Sequence, residues 1–158
     1  MSANNNSSIN EISDLLNLES SKLQDTIDHG IKNSEKLTLP EIIGAYYQVI
    51  NVTSITKMLK ENSDMMKYSE EKNTVITLIK NIEKEIDENF NKNLHFRILD
   101  NLDQVIENSK KQIKEIQLSQ IEKTKEGIEK QGEIYQTLRK LMSTKEFVDQ
   151  YDKGLENK

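Results

Sequence analysis

Two histidines and the acidic residues near them are the side chains of this sequence that are best suited to metal chemistry. Asp25 and His29 lie one helical turn apart and could share a ligand. A ferritin-like carboxylate site, however, needs glutamates on four helices and two Glu-x-x-His motifs. Neither His29 nor His95 has a glutamate three residues before it. We therefore predict no metal site and no bound cofactor.

Other kinds of active site find equally little support in the sequence. The chain has no cysteine, which excludes thiol chemistry, disulfides and thiolate metal ligands. Gly127 and Gly132 lie inside a helical pattern with no preceding strand, so they do not form a phosphate-binding loop. No Ser/His/Asp set can be argued from spacing. We predict no catalytic residue and expect a protein that is not an enzyme.

An alternative class is a ligand-binding or enzymatic helical bundle whose polar residues meet only in the folded chain. Its simplest form would be a cavity lined by Tyr46, Tyr47 and His95. Adjacent tyrosines on a buried helix are more often packing residues with a hydroxyl at the rim. A closed polar pocket in the structure would favour the ligand-binding class.

Composition favours helices with much exposed surface. Of the 158 residues, 31% are charged and 34% apolar, with five glycines and a single proline. We predict an all-α fold, an elongated antiparallel helical bundle in one domain, with coiled-coil-like pairing and one long C-terminal helix.

The densest basic stretch, around Lys110 and Lys114, is diluted by Glu107 and Glu115, so nucleic acid is not an expected partner. The polar start MSANNNSS lacks a basic and apolar leader, and cytoplasmic residence is expected.

The stretch from Leu39 to Leu59 is the only one whose apolar residues run nearly all the way round a helix, which predicts a buried central helix. Thr38 and Glu41 match a capping box, and Pro40 suits the first turn. The stretch holds too many polar residues for a membrane span. If this helix is buried, Ile50→Asp should destabilise the protein by several kcal/mol.

The remaining helices follow from apolar spacing and from turn residues. Gly30 is placed where a helix would end, and Ser63 is a candidate N-cap. Asn91 to Asn93 favour a turn, so the helices on either side of them should be antiparallel neighbours. The predicted segments are a disordered polar tail at 1–8, helices at about 9–29, 39–61, 64–90, 94–142 and 144–153, and a frayed tail at 154–158.

The long helix at 94–142 carries an apolar line that shifts by one residue near its middle, as expected for a nearly straight helix. Gly127 and Gly132 weaken it and could bend it. Ser109 and Gln112 resemble a capping box, so a break near Asn108 is the alternative.

Helix lengths indicate self-association. At a rise of about 1.5 Å per residue, the helix at 94–142 is about 72 Å long and the one at 64–90 about 40 Å. The shorter helix would leave much of the apolar line uncovered, and a second copy of the chain is the simplest cover. We therefore predict a non-enzymatic helical scaffold or adaptor with a protein partner, and a homodimer centred near Leu138. The candidate interaction surface is Ile121, Ile128, Tyr135, Leu138 and Met142.

Overall fold

A computed structural model describes residues 2–67 and 70–156, and within them every regular element is helical and no strand occurs. The predicted all-α class is confirmed. Contacts group the chain into two compact units, unit 1 (Met1–Phe96) and unit 2 (Arg97–Lys158), where the sequence analysis expected one domain. The helices are α1 (Ser2–Lys32), α2 (Leu39–Asp64), α3 (Glu70–Glu85), a π-helical segment (Ile86–Leu94), α4 (His95–Leu118) and α5 (Lys125–Glu156), with 3₁₀ turns at Ser34–Lys36 and Ile121–Lys123.

In unit 1, α1 is longer at both ends than the prediction of 9–29. It begins at Ser2, so the predicted disordered tail is helical over 2–8, and Met1 lies outside the described residues. The helix buries one stripe, formed by Ile9, Leu16, Leu23 and Ile27. This stripe packs along α2, since amphipathic helices are stabilised mainly by burying their apolar face.

Gly30 does not end α1, which continues to Lys32. Its role is to let Leu94 approach. A Cβ built on Gly30 would lie 2.8 Å from Leu94 Cδ2 and 3.0 Å from Leu94 Cδ1, closer than carbon atoms can pack. The prediction that Gly30 terminates the helix is therefore wrong, because the glycine serves a close tertiary contact.

The start of α2 is confirmed in detail. The Glu41 amide donates to Thr38 Oγ1 at 3.2 Å, and the Thr38 amide donates to Glu41 Oε1 at 3.2 Å, which completes the capping box. Its end differs from the prediction, because α2 continues to Asp64. Ser63 is buried and its hydroxyl donates to the carbonyl of Lys60, so it does not cap a following helix.

Burial of α2 is one-sided, and the expectation that it is buried all round is wrong. Val49 and Val52 are fully enclosed, whereas Ile50 is 42% exposed. The helix packs against α1 and α3. Three large apolar residues of α2 are exposed, namely Tyr47, Ile50 and Met58. Ile50→Asp would therefore place its charge at an exposed position.

No turn forms at Asn91 to Asn93. These residues lie in the π-helical segment, so helical backbone continues from Glu70 to Leu118 and the predicted reversal is wrong. Buried positions recur there at steps of four, and four residues overshoot an α-helical turn by about 40°. The wider π turns offset this drift and keep the apolar side chains on one face. The buried residues are Ile82, Ile86, Phe90, Leu94, Ile98, Leu102 and Ile106.

The long C-terminal helix is interrupted between Leu118 and Lys125, shortly before Gly127, where the sequence left a bend or break open. Gln120 has φ of 65°, a left-handed conformation that ends α4. Thr124 then caps α5, since its Oγ1 accepts a hydrogen bond from the Gly127 amide at 3.0 Å. The predicted continuous helix at 94–142 is therefore wrong, and so is the alternative break near Asn108, which lies inside α4.

The predicted separate helix at 144–153 is part of α5. Thr144 lies within the helix, and its hydroxyl donates to the carbonyl of Lys140 one turn earlier. Residues 154–156, predicted as part of a frayed tail, close α5, and residues 157–158 lie outside the described part of the chain. Across the described ranges, each helix is too short or too polar to traverse a lipid bilayer.

Candidate functional site

The predicted interaction surface falls within unit 2, where its five residues occupy two different elements. Ile121 belongs to the 3₁₀ turn that follows α4 and is separated from the others by the Thr124 cap. The other four lie on α5. Ile128, Tyr135 and Met142 are 60%, 47% and 52% exposed and recur every seven residues. Leu138 is half-buried.

We call Ile128, Tyr135 and Met142 the α5 stripe. Seven residues are nearly two helical turns, so the three side chains lie along one line of the helix surface. The opposite flank of the same helix is buried at Leu141, Thr144 and Val148. The α5 helix thus has an apolar face turned inward and a second apolar line turned outward.

A charged cleft borders the stripe. It lies between α4 and α5, has a volume of about 870 Å³, and includes Met142 in its lining. Lys145 on α5 donates a hydrogen bond to Asp103 on α4, and this bond raises the pKa of the Lys145 ammonium. The cleft is lined by charges of both signs, namely Asp103, Glu107, Glu146 and Asp149 with Lys110, Arg139, Lys145 and Lys153.

A polar pair lies in the core of unit 1. Tyr46 Oη and His95 Nδ1 are 2.6 Å apart, and both residues are fully buried. The Phe90 ring packs edge-on against Tyr46 at a centroid distance of 5.1 Å and is stacked with His95 at 6.3 Å. These rings fill the space between the helices that carry them.

The structure therefore brings together two of the three residues of the alternative ligand cavity. Tyr46 and His95 meet, but Tyr47 is 59% exposed on another side of α2. Consecutive helical residues point about 100° apart, so adjacent tyrosines cannot both face one cavity. Tyr46 and His95 act as packing residues with a satisfied hydrogen bond.

Sequence reasoning missed Phe90 as the third member of this cluster. Phe90 and His95 are five residues apart, and the His95 amide donates to the Phe90 carbonyl in the hydrogen-bond pattern of a π-helix. Residues five apart do not share a face in an α-helical pattern. The unbroken step of four from Ile82 to Ile106 is the signal that could have revealed the wider turn.

The second histidine joins two helices. His29 Nε2 lies 3.2 Å from Glu41 Oε2, which ties the end of α1 to the capping box of α2. This contact and the hydrogen bonds from Thr38 hold the pKa of Glu41 below its usual value, the Thr38 bonds being the larger cause. Asn33 also contacts His29, with its Nδ2 3.3 Å from the ring Nδ1.

Metal binding finds no support in the described geometry. In residues 2–67 and 70–156, no three histidine or acidic side chains gather in an arrangement that could hold a metal ion. The site that remains is a surface: the outward apolar line of α5 beside a cleft of mixed charge. Comparison with known proteins adds no assignment, since no family model, no curated protein and no solved structure matches this chain.

Proposed function

We propose that this protein is a non-enzymatic helical scaffold or adaptor that acts by packing α5 against a helix of another chain. The observation that carries the proposal is the α5 stripe, which presents Ile128, Tyr135 and Met142 to solvent at a seven-residue interval. A seven-residue repeat is the spacing by which one helix seats against another in a coiled coil.

The surroundings of the stripe support this proposal. Protein interfaces combine an apolar, aromatic-rich centre with a polar rim. Tyr135 supplies the aromatic centre, and the mixed-charge cleft beside Met142 supplies the rim. Because the cleft holds four acidic and four basic residues, a partner helix with charges of both signs would complement it.

A second copy of this chain is the first partner to test. Its α5 carries the same stripe, and a two-fold axis would pair the two stripes with each other. The positions three residues after Ile128 and Tyr135, Gln131 and Leu138, are already half-buried within the chain. Of the two apolar positions in each seven-residue repeat, only the one occupied by Ile128, Tyr135 and Met142 is therefore exposed to a partner. This favours a dimer in which the two copies of α5 pack along that line. Action in the cytoplasm and the absence of a nucleic-acid partner stay predictions.

The test is the mass in solution. Sedimentation at micromolar concentration should give a dimer for the unmodified chain and a monomer for Tyr135→Asp, because a charge at the centre of an apolar interface would be desolvated without a partner. Tyr135 replaces Leu138 as the test position, since Leu138 is half-buried and its substitution could also disturb unit 2.

Tyr47→Asp is the matched control, because Tyr47 is an exposed tyrosine on a helix of unit 1. It should leave the dimer mass unchanged, and circular dichroism should show both variants folded. A chain that sediments as a monomer before any substitution would refute self-association through the stripe.

A further inference from the structure

A groove between α1 and α2 in unit 1 has the size and the chemistry of a small-molecule site. Its volume is about 380 Å³, within the range of natural ligand pockets. Ala45 and the fully buried Leu94 contribute apolar lining, while Asp25 and Glu41 contribute acidic side chains. The groove is separate from the α5 stripe and plays no part in the proposed helix packing.

Two glycines shape this groove. Gly30 allows Leu94 to lie against α1, which brings the leucine into the groove lining. Gly44 leaves the groove open, since a Cβ built there would meet no atom within 4 Å. Glycine in the middle of a helix weakens it. Among the described residues no packing contact requires Gly44, and a side chain in its place would extend into the open space of the groove.

Two acceptors in the groove lining, Asp25 and Gln48 Oε1, have no donor among the described residues. Asp25 makes no hydrogen bond or ion pair with another described residue. Gln48 Oε1 is enclosed and has no hydrogen-bond partner among the described residues. A buried amide oxygen left unpaired is costly. Gln48 lines the groove, and rotation about its broad terminal torsion is the movement that would expose this oxygen to a ligand there.

Acidic side chains outnumber basic ones in the groove. Its described lining contains the carboxylates of Asp25 and Glu41 and the imidazole of His29, and neither lysine nor arginine. Glu41 is already engaged, through Oε1 with Thr38 and through Oε2 with His29. Asp25 is therefore the carboxylate available to a ligand, and it lies beside an apolar lining and an unpaired amide oxygen.

We propose that this groove binds an organic ammonium ion, with the apolar part of the ligand against Ala45 and Leu94 and the ammonium directed at Asp25 and Gln48. An ammonium group donates up to three hydrogen bonds and carries the charge that Asp25 complements. A neutral ligand would leave the carboxylate unpaired, and an anion would be repelled by it.

Binding of 2-phenylethylammonium to the full-length protein tests the ligand class, with 2-phenylethanol and phenylacetate as neutral and anionic compounds of similar shape. Titration followed by amide NMR shifts should show the ammonium binding at least ten-fold more tightly than the alcohol, and no binding of phenylacetate. Equal affinity for the ammonium and the alcohol would overturn the proposal. A capped lysine, acetyl-lysine-methylamide, distinguishes a peptide side chain from a free amine as the source of the same group.

Two substitutions test the location. Gly44→Leu fills the open space and should abolish ammonium binding, while Gly132→Leu, at the other mid-helix glycine with open space, should leave it unchanged. Asp25→Asn removes the available charge and should weaken binding about ten-fold, whereas Asp14→Asn, an exposed carboxylate elsewhere on α1, should not. Unaltered binding by folded Gly44→Leu and Asp25→Asn variants would overturn the site.

Discussion

Tyr46 Oη and His95 Nδ1 lie 2.6 Å apart in the core of unit 1, with no exposed surface on either residue. The pair joins α2 to the residue that follows the π-helical segment, 49 positions further along the chain. A buried polar pair of this kind favours the helix faces that meet here, since another register would break the hydrogen bond between them.

We expect Tyr46→Phe to destabilise unit 1 by about 1–3 kcal/mol, because it removes one partner of a buried hydrogen bond. His95→Leu should cost a comparable amount. The double variant should cost less than the sum of the two, with a coupling of about 0.5–3 kcal/mol. Urea unfolding of the four proteins measures this cycle, and strictly additive effects would show that the hydrogen bond contributes nothing to stability.

The contact between Gly30 and Leu94 gives a second test. Gly30→Ala should destabilise by about 1–3 kcal/mol, since the added methyl overlaps a leucine that is fully buried and cannot move aside freely. Gly44→Ala is the control on α2, where the methyl meets open space. It should stabilise by about 0.5–1 kcal/mol through helix propensity alone.

Leu94→Ala removes the side chain that an added methyl at Gly30 would overlap. A protein that carries Leu94→Ala therefore shows whether this overlap causes the loss of stability. In that background Gly30→Ala should become neutral or stabilising, because the helix gains propensity without overlap. Thermal melting of the single and double variants reports the change of sign. The same destabilisation in both backgrounds would mean that Leu94 is not the cause.

Because α2 is buried on one side, aspartate substitutions at two adjacent positions should have very different effects on the free energy of unfolding. Val49→Asp should cost several kcal/mol, because the residue is 1% exposed and the new carboxylate would be buried without a partner. Ile50→Asp should cost less than about 1 kcal/mol at its exposed position. Equal losses in urea unfolding would show that the outer face of α2 is covered in solution.

Glu85 makes the stability of unit 1 depend on pH. Burial, and secondarily the charge of Asp28, raise the pKa of its carboxyl above the usual value, and its Oε1 has no hydrogen-bond partner among the described residues. The folded state therefore holds this proton more tightly than the unfolded state. Its contribution is most favourable below the usual pKa of 4.5 and declines as pH rises through the raised pKa.

Replacing the Glu85 carboxyl by an amide should remove the loss of stability that accompanies rising pH. We expect Glu85→Gln to raise the melting temperature relative to the unmodified protein at pH 7, and by a smaller margin at pH 4. Glu83→Gln, at an exposed position on the same helix, controls for the loss of one negative charge. A Glu85→Gln gain that matches the control at both pH values would contradict the argument.

The sequence by itself determined the features that depend on neighbouring residues. The capping box of Thr38 and Glu41 was predicted correctly, because both of its hydrogen bonds close within one helical turn. The all-α class and the buried stripe of α1 follow equally from local spacing, since apolar positions recurring at the helical period specify a helix and the face it buries. Of the five residues predicted as an interaction surface, Ile128, Tyr135 and Met142 are exposed along one line of α5, whereas Ile121 lies on another element and Leu138 is half-buried.

Only the tertiary structure decided where helices end and what their special residues do. The sequence pattern predicts a helix end at Gly30, whereas the place of this glycine is set by its contact with Leu94, more than sixty positions away in the sequence. The asparagines at 91 and 93 were interpreted as a turn, yet packing of Ile86, Phe90 and Leu94 on one face keeps the backbone helical there. Turn propensity amounts to tenths of a kcal/mol per residue, and burial of one such side chain contributes about 1.5–3 kcal/mol.

The candidate sites divide in the same way. The α5 stripe could be predicted because it is one line on one helix. The groove between α1 and α2 could not, since Asp25, Gly44 and Gln48 come from two helices and share no motif. Asp25 and His29 were noticed as a pair one turn apart, but the partner of His29 proved to be Glu41 on the next helix. Spacing fixes which residues share a face, whereas the contact between two faces depends on the packing of the whole unit, which no local pattern encodes.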